Sequence, residues 1–146
     1  MKKIIMALLV CGALLNVRAE ELTWFTNMPK AMAQAKAENK LVLADFTGSD
    51  WCVWCKKMDA DTFSKAEFAD YAKKNLVLVQ LDYPRGLPQS DELKAANAVL
   101  LNRFKIKGFP TLIFMKPDAT VLWRFDDYLP GGPQALIAKL DAATPK

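Results

Sequence analysis

The chain has 146 residues, carries a net charge of +4 and contains no histidine; 52% of its residues are hydrophobic. That is enough for one ordinary domain with a sizeable core. The lack of histidine excludes Cys-His nucleophile pairs, Ser-His-Asp triads and histidine-based zinc sites, and a single close pair of cysteines supplies only half of a tetrahedral zinc site. No metal or other cofactor is expected.

The first residues read as a segment apart from the fold. Lys2 and Lys3 form a basic head, residues 4–15 are an almost unbroken apolar run, and Val17 and Ala19 offer the residues a signal peptidase reads. This is the pattern of a secretory signal, with cleavage expected after Ala19, so that residues 1–19 leave and residues 20–146 form the mature domain. The apolar run falls short of the roughly 20 residues that span a bilayer. An uncleaved anchor is the alternative. A lipoprotein is a third reading, because Cys11 lies inside the run, although Leu8-Leu9-Val10 lacks the small residue expected beside a lipidated cysteine. Loss of Lys2, Lys3 and Arg18 lowers the net charge to +1, which leaves no basic stripe to suggest nucleic acid as a partner.

The mature chain alternates strand and helix patterns. Residues 21–26 are an extended lead-in. Asn27 can cap a helix with Pro29 in its first turn, running to about Glu38, where Asn39 can end it. Residues 41–46 are a short apolar run of the kind found in a buried central strand. A loop of residues 47–50 leads into a helix from about Cys52 to Thr62. Ser64 and Glu67 have capping-box spacing and predict a second helical segment to about Lys74. Residues 76–81 form another buried strand, residues 84–88 a loop, and Ser90 or Asp91 starts a helix to about Phe104. Gly108-Phe109-Pro110 breaks the chain. Residues 111–115 and 120–125 read as a hairpin about the turn at 116–119, and Gly131-Gly132-Pro133 leads into a last helix to about Asp141. The order predicts an α/β domain, a mixed sheet between helices on both faces.

The chemistry concentrates in Trp51-Cys52-Val53-Trp54-Cys55-Lys56. A Cys-x-x-Cys pair at the junction of a strand and a helix has a mechanism: the free N–H groups and positive end of the helix favour a thiolate at the first cysteine. The second cysteine, one turn along, can attack a mixed disulfide formed by the first. A structural staple is the competing reading, but so short a loop restrains little of the unfolded chain.

Three features, in order and spacing, resemble the thioredoxin superfamily over residues 22–142: Leu43-Ala44-Asp45-Phe46 ahead of Trp51-Cys52-x-x-Cys55-Lys56; Gly108-Phe109-Pro110-Thr111, similar to the family's cis-proline segment; and the hairpin with its glycine-rich lead into the last helix. Gly48 to Lys57 also resembles single-domain, exported thioredoxin-like proteins of bacteria, some of them periplasmic disulfide reductases, and the C-terminal domain of the transmembrane carrier that feeds electrons to the periplasm. The resemblance implies a thioredoxin fold with Cys52 as exposed nucleophile, Cys55 as resolving cysteine, and Asp45 as a buried carboxylate that relays a proton. It implies a substrate groove of Trp51, Trp54, Phe109 and Pro110.

Structural readings stand beside these roles. Trp51 and Trp54 could be core or rim aromatics, Phe109 could belong to the core, and Asp45 could face solvent from the end of its strand.

The gap from Asp45 to Cys52 is one residue longer than in ordinary thioredoxins, no proline interrupts the active-site helix, and the strand at 76–81 lacks the lysine that often pairs with the buried carboxylate. Val53-Trp54 puts no charge between the cysteines, which favours a reducing dithiol. The expected function is therefore an exported, periplasmic thiol–disulfide oxidoreductase, monomeric, that reduces or isomerises disulfides in exported proteins and draws electrons from a membrane donor. A net oxidase of the same fold and an idle binding module are the alternatives.

Overall fold

In the computed structural model, residues 22–145 are described; the expected signal segment and Cys11 lie outside them. The elements are β1 (Trp24–Phe25), α1 (Met28–Glu38), β2 (Leu41–Thr47), α2 (Val53–Met58) continued by a π-helical turn (Asp59–Phe63), α3 (Ala66–Asn75), β3 (Leu76–Asp82), α4 (Asp91–Arg103), β4 (Thr111–Met115), β5 (Val121–Phe125) and α5 (Gly132–Ala143). The sheet order is β1-β3-β2-β4-β5. β1, β3 and β2 run parallel, and β4 and β5 add antiparallel. This is the thioredoxin fold, as expected.

Strand periodicity divides the core in two. Val42, Ala44 and Phe46 of β2, with Val77, Val79 and Leu81 of β3 and Ile113 and Met115 of β4, face α1 and the end of α4. The intervening residues, Leu43, Leu76, Leu78, Leu112 and Phe114, meet Met58, Phe63, Phe68, Ala72, Leu136 and Leu140 from the opposite helical layer. A central strand buried on both faces needs a continuous apolar run, and Leu41-Val42-Leu43-Ala44 supplies one. Asp45, next in that run, takes a position on the second face, in register with Gln80 of β3 and Leu112 of β4.

Local signals act as their chemistry dictates at α1. The Asn27 side chain accepts from the Lys30 N–H, and Asn39 closes the helix in the left-handed region at φ 53°. At α3 the structure corrects the expectation: the N-cap is Lys65, with no side-chain cap, and the Ser64 hydroxyl instead donates back to the Ala60 carbonyl. The π-helical turn carries the preceding helix one residue past Thr62, so Ser64 still belongs to that helix's end. Among the described residues, no helix is long and apolar enough to cross a membrane.

Candidate active site

The loop from β2 into α2 is built on Gly48. Its carbonyl accepts the N–H groups of both Trp51 and Cys52, which closes a tight turn ahead of α2. A Cβ at Gly48 would lie 2.5 Å from the Trp51 indole, so the close approach of that ring requires glycine. Trp51 is fixed on its other sides: its Nε1–H donates to the Tyr83 carbonyl at 2.9 Å, its ring meets Phe109 edge-on at 5.8 Å, and the Arg85 guanidinium lies 3.8 Å over it. Asp50 secures the facing loop. Its carboxylate accepts the backbone N–H groups of Arg85, Gly86 and Leu87, and these bonds hold it below the usual carboxylate range. Lys56 donates to the Asp50 carbonyl.

Cys52 is the N-cap of α2, in extended backbone, and its Sγ accepts from the Cys55 N–H at 3.1 Å. It is joined to Cys55 in a disulfide, with Cα atoms 5.2 Å apart. The Phe109 carbonyl lies 3.6 Å from the same Sγ, at the cis Phe109–Pro110 bond. The sulfur thus sits between a donor from its own helix and the backbone of a second segment. One expectation is revised here. The resemblance implies an exposed Cys52, yet in the disulfide form Cys52 is only 5% exposed, as buried as Cys55, because the Phe109 segment covers it. What separates the two cysteines is their place on the helix. Cys52 precedes the first turn, where N–H groups are free, whereas Cys55 lies inside it.

Asp45 is 4% exposed, which excludes the strand-end, solvent-facing reading. It shares its sheet face with Leu43, under the layer that carries α2 and the π-helical turn. Burial pushes its carboxyl up to about 7; the Gln80 side chain opposes this by hydrogen bonding, while the Asp59 and Asp82 carboxylates add to the rise. Gln80 occupies the neighbouring-strand position, so the buried acid has a neutral partner in place of a lysine. Its Oδ1 has no hydrogen-bond partner among the described residues.

Trp54 is 53% exposed and rests against Tyr128, ring centroids 5.4 Å apart. Trp51 thus packs on Phe109, whose carbonyl meets the Cys52 sulfur, while Trp54 packs on Tyr128. Neither Tyr128 nor the Asp50 clamp is marked by any local motif; both depend on loops that meet only in the folded chain.

Residues 28–144 match the family described as "thioredoxin-like domain". The chain is 33% identical over 127 residues to the disulfide bond reductase DsbH of Chlamydia pneumoniae, covering 87% of this chain and 75% of that protein. A solved structure of a DsbH oxidoreductase superposes with a TM-score of 0.78 at 33% identity, covering 84% of each chain. The thiol:disulfide interchange protein DsbD of Vibrio cholerae is 37% identical over 89 residues; these are 61% of this chain but only 13% of that longer protein.

Proposed function

The chain belongs to the thioredoxin-like family and is a homologue of the DsbH disulfide oxidoreductases; from that premise we propose an exported protein that reduces or isomerises disulfides of periplasmic proteins. The observation that carries this reading is the setting of the Cys52 sulfur, 3.1 Å from the Cys55 N–H and 3.6 Å from the Phe109 carbonyl. An N–H aimed at the sulfur favours its thiolate, and the Phe109 backbone beside it, just ahead of β4, offers an extended substrate a place to pair.

The cycle balances as follows. The Cys52 thiolate attacks one sulfur of a substrate disulfide; a Cys52–substrate bond forms, and the other substrate sulfur leaves as a thiolate and takes a proton. Cys55 then loses its proton and attacks the Cys52 sulfur, which expels the second substrate thiolate. The substrate gains two electrons and two protons, and the protein is left as the Cys52–Cys55 disulfide. Asp45 is the proposed acceptor of the Cys55 proton: it lies on the sheet face under that helix, and a carboxyl near 7 exchanges protons readily at neutral pH. Trp51, Phe109 and Pro110 form the proposed groove. In isomerisation a free substrate thiol replaces Cys55 in the second step.

Val53 and Trp54 place no charge between the cysteines. Without that stabilisation of the thiolate, the dithiol is the stronger reductant, which favours a reductase over a net oxidase. A reductase in an oxidising compartment needs a dithiol donor, and the similarity to DsbD supports a membrane donor in general terms. We further propose a monomer released by cleavage after Ala19, checked by sequencing the N-terminus of the periplasmic protein, which should begin at Glu20. The functional reading is tested by equilibrating the pair with a dithiothreitol series and measuring insulin reduction. A potential nearer the roughly −270 mV of thioredoxin than the roughly −120 mV of a strong oxidant, with insulin turnover, supports it. An oxidising potential would convert it to an oxidase, and no turnover would favour an idle binding module.

A further inference from the structure

We propose that Trp54 and Tyr128 form a subsite for an aromatic or large aliphatic side chain next to the reacting cysteine of the substrate polypeptide. The proposal rests on the oxidoreductase reading above and extends it to substrate choice.

Trp54 stands two residues after Cys52, on the first turn of α2, and a Trp serving only the core would be covered there. Instead it is 53% exposed, and Val53 between it and Cys52 is 72% exposed. Val53 and Trp54 follow Cys52 directly in the chain, so their exposed apolar surface lies beside the exchange site, within reach of a residue that flanks a cysteine joined to Cys52.

The second wall comes from elsewhere in the sequence. Tyr128 lies between β5 and α5, tilted 34° to the Trp54 ring. It is held from three directions. Its hydroxyl donates to Asp61 Oδ2 at 2.7 Å, the Lys57 ammonium lies 5.4 Å over its ring, and Leu129 beside it is buried in the second core. Lys57 in turn pairs with Asp61 at 2.7 Å. An exposed ion pair of this kind adds little stability, but it orients the ring and cancels the local charge. What remains for recognition is the exposed part of the Trp54 ring, held in place by Tyr128, which orders little further on contact.

The experiment uses the reduced mature chain and three disulfides: hydroxyethyl disulfide and two short peptide disulfides that differ only in carrying Phe or Ser beside the cysteine. The wild type should reduce the Phe peptide about three- to tenfold faster than the Ser peptide, the range of one aromatic contact. Trp54→Ala and Tyr128→Ala should each bring this ratio to about one. A general loss of active protein would slow both peptides and leave the ratio intact. Trp54 lies on an exposed helix surface, so its variant keeps the test usable if Tyr128→Ala fails to fold. A wild-type ratio near one, or a ratio that survives in Trp54→Ala, overturns the subsite. Failure to reduce any of the three disulfides would instead overturn the oxidoreductase reading, and the subsite with it.

Discussion

The backbone N–H of Cys55 points at the sulfur of Cys52 from 3.1 Å, while the two residues are equally buried in the disulfide. Reactivity in the reduced protein is therefore expected to follow hydrogen bonding and helix position rather than exposure. Iodoacetamide at mildly acidic pH should label Cys52 ahead of Cys55, as read by peptide mass mapping over time. Faster labelling of Cys55 would reverse the two roles.

Asp45 makes stability depend on pH in a defined direction. Its folded-state carboxyl titrates at about 7, above the roughly 3.9 of an unfolded Asp. Between those values the unfolded chain releases this proton while the folded chain keeps it. Wild-type stability should then fall as pH rises from about 4 to 7 and level off above. The full effect is at most about 4 kcal/mol, one pKa unit being about 1.4 kcal/mol. Asp45→Asn removes the ionisation, so the gain of the variant over wild type should grow across that window. Urea denaturation of both oxidised proteins at pH 4.5 and pH 8 checks this. A difference that does not change with pH would contradict the buried acid.

Gly48→Ala tests the packing behind the active-site loop. The added methyl would meet the Trp51 indole at 2.5 Å. The ring is held by the Tyr83 carbonyl, capped by Arg85 and met edge-on by Phe109, so it can move only against these partners. Overpacking of this kind costs about 1–3 kcal/mol. Denaturation should show that loss, and insulin turnover should fall as Trp51 is pushed against Phe109.

Asp50→Ala should free the loop after β3 without weakening the sheet. Amide exchange at Arg85, Gly86 and Leu87 should accelerate by about tenfold or more, with β2 and β4 amides unchanged. Because these bonds depress the Asp50 carboxyl, the clamp is present above the ordinary Asp range and lost as pH falls below it, so in acid the wild-type protection of these amides, measured relative to their intrinsic exchange rate at the same pH, should also fall.

Much of this molecule is written locally. Asn27 and Asn39 bound α1, the apolar runs mark β2 and β3, and Cys-x-x-Cys after a strand locates the site, because each depends on a few neighbouring residues. Ser64 and Glu67 mislead for a physical reason. A capping box acts only if the helix before it has ended, and the π-helical turn extends that helix to Phe63. The burial of Asp45 could not be read from β2 alone; it follows from the helical layer that covers it. Tyr128 is 74 residues from Trp54 in sequence, so their pairing exists only once β5 has joined the sheet and the chain turns into α5.

The central claim is a division of labour, in which Cys52 forms the intermolecular bond and Cys55 breaks it. The direct measurement is a non-reducing gel of Cys55→Ser and Cys52→Ser, each expressed with residues 1–19. Cys55→Ser should accumulate mixed disulfides with exported cysteine-containing proteins, since the bond at Cys52 has lost its resolving thiol; Cys52→Ser should accumulate none. Equal trapping by both would contradict the assigned roles, and trapping by neither would contradict disulfide exchange as the function of the site.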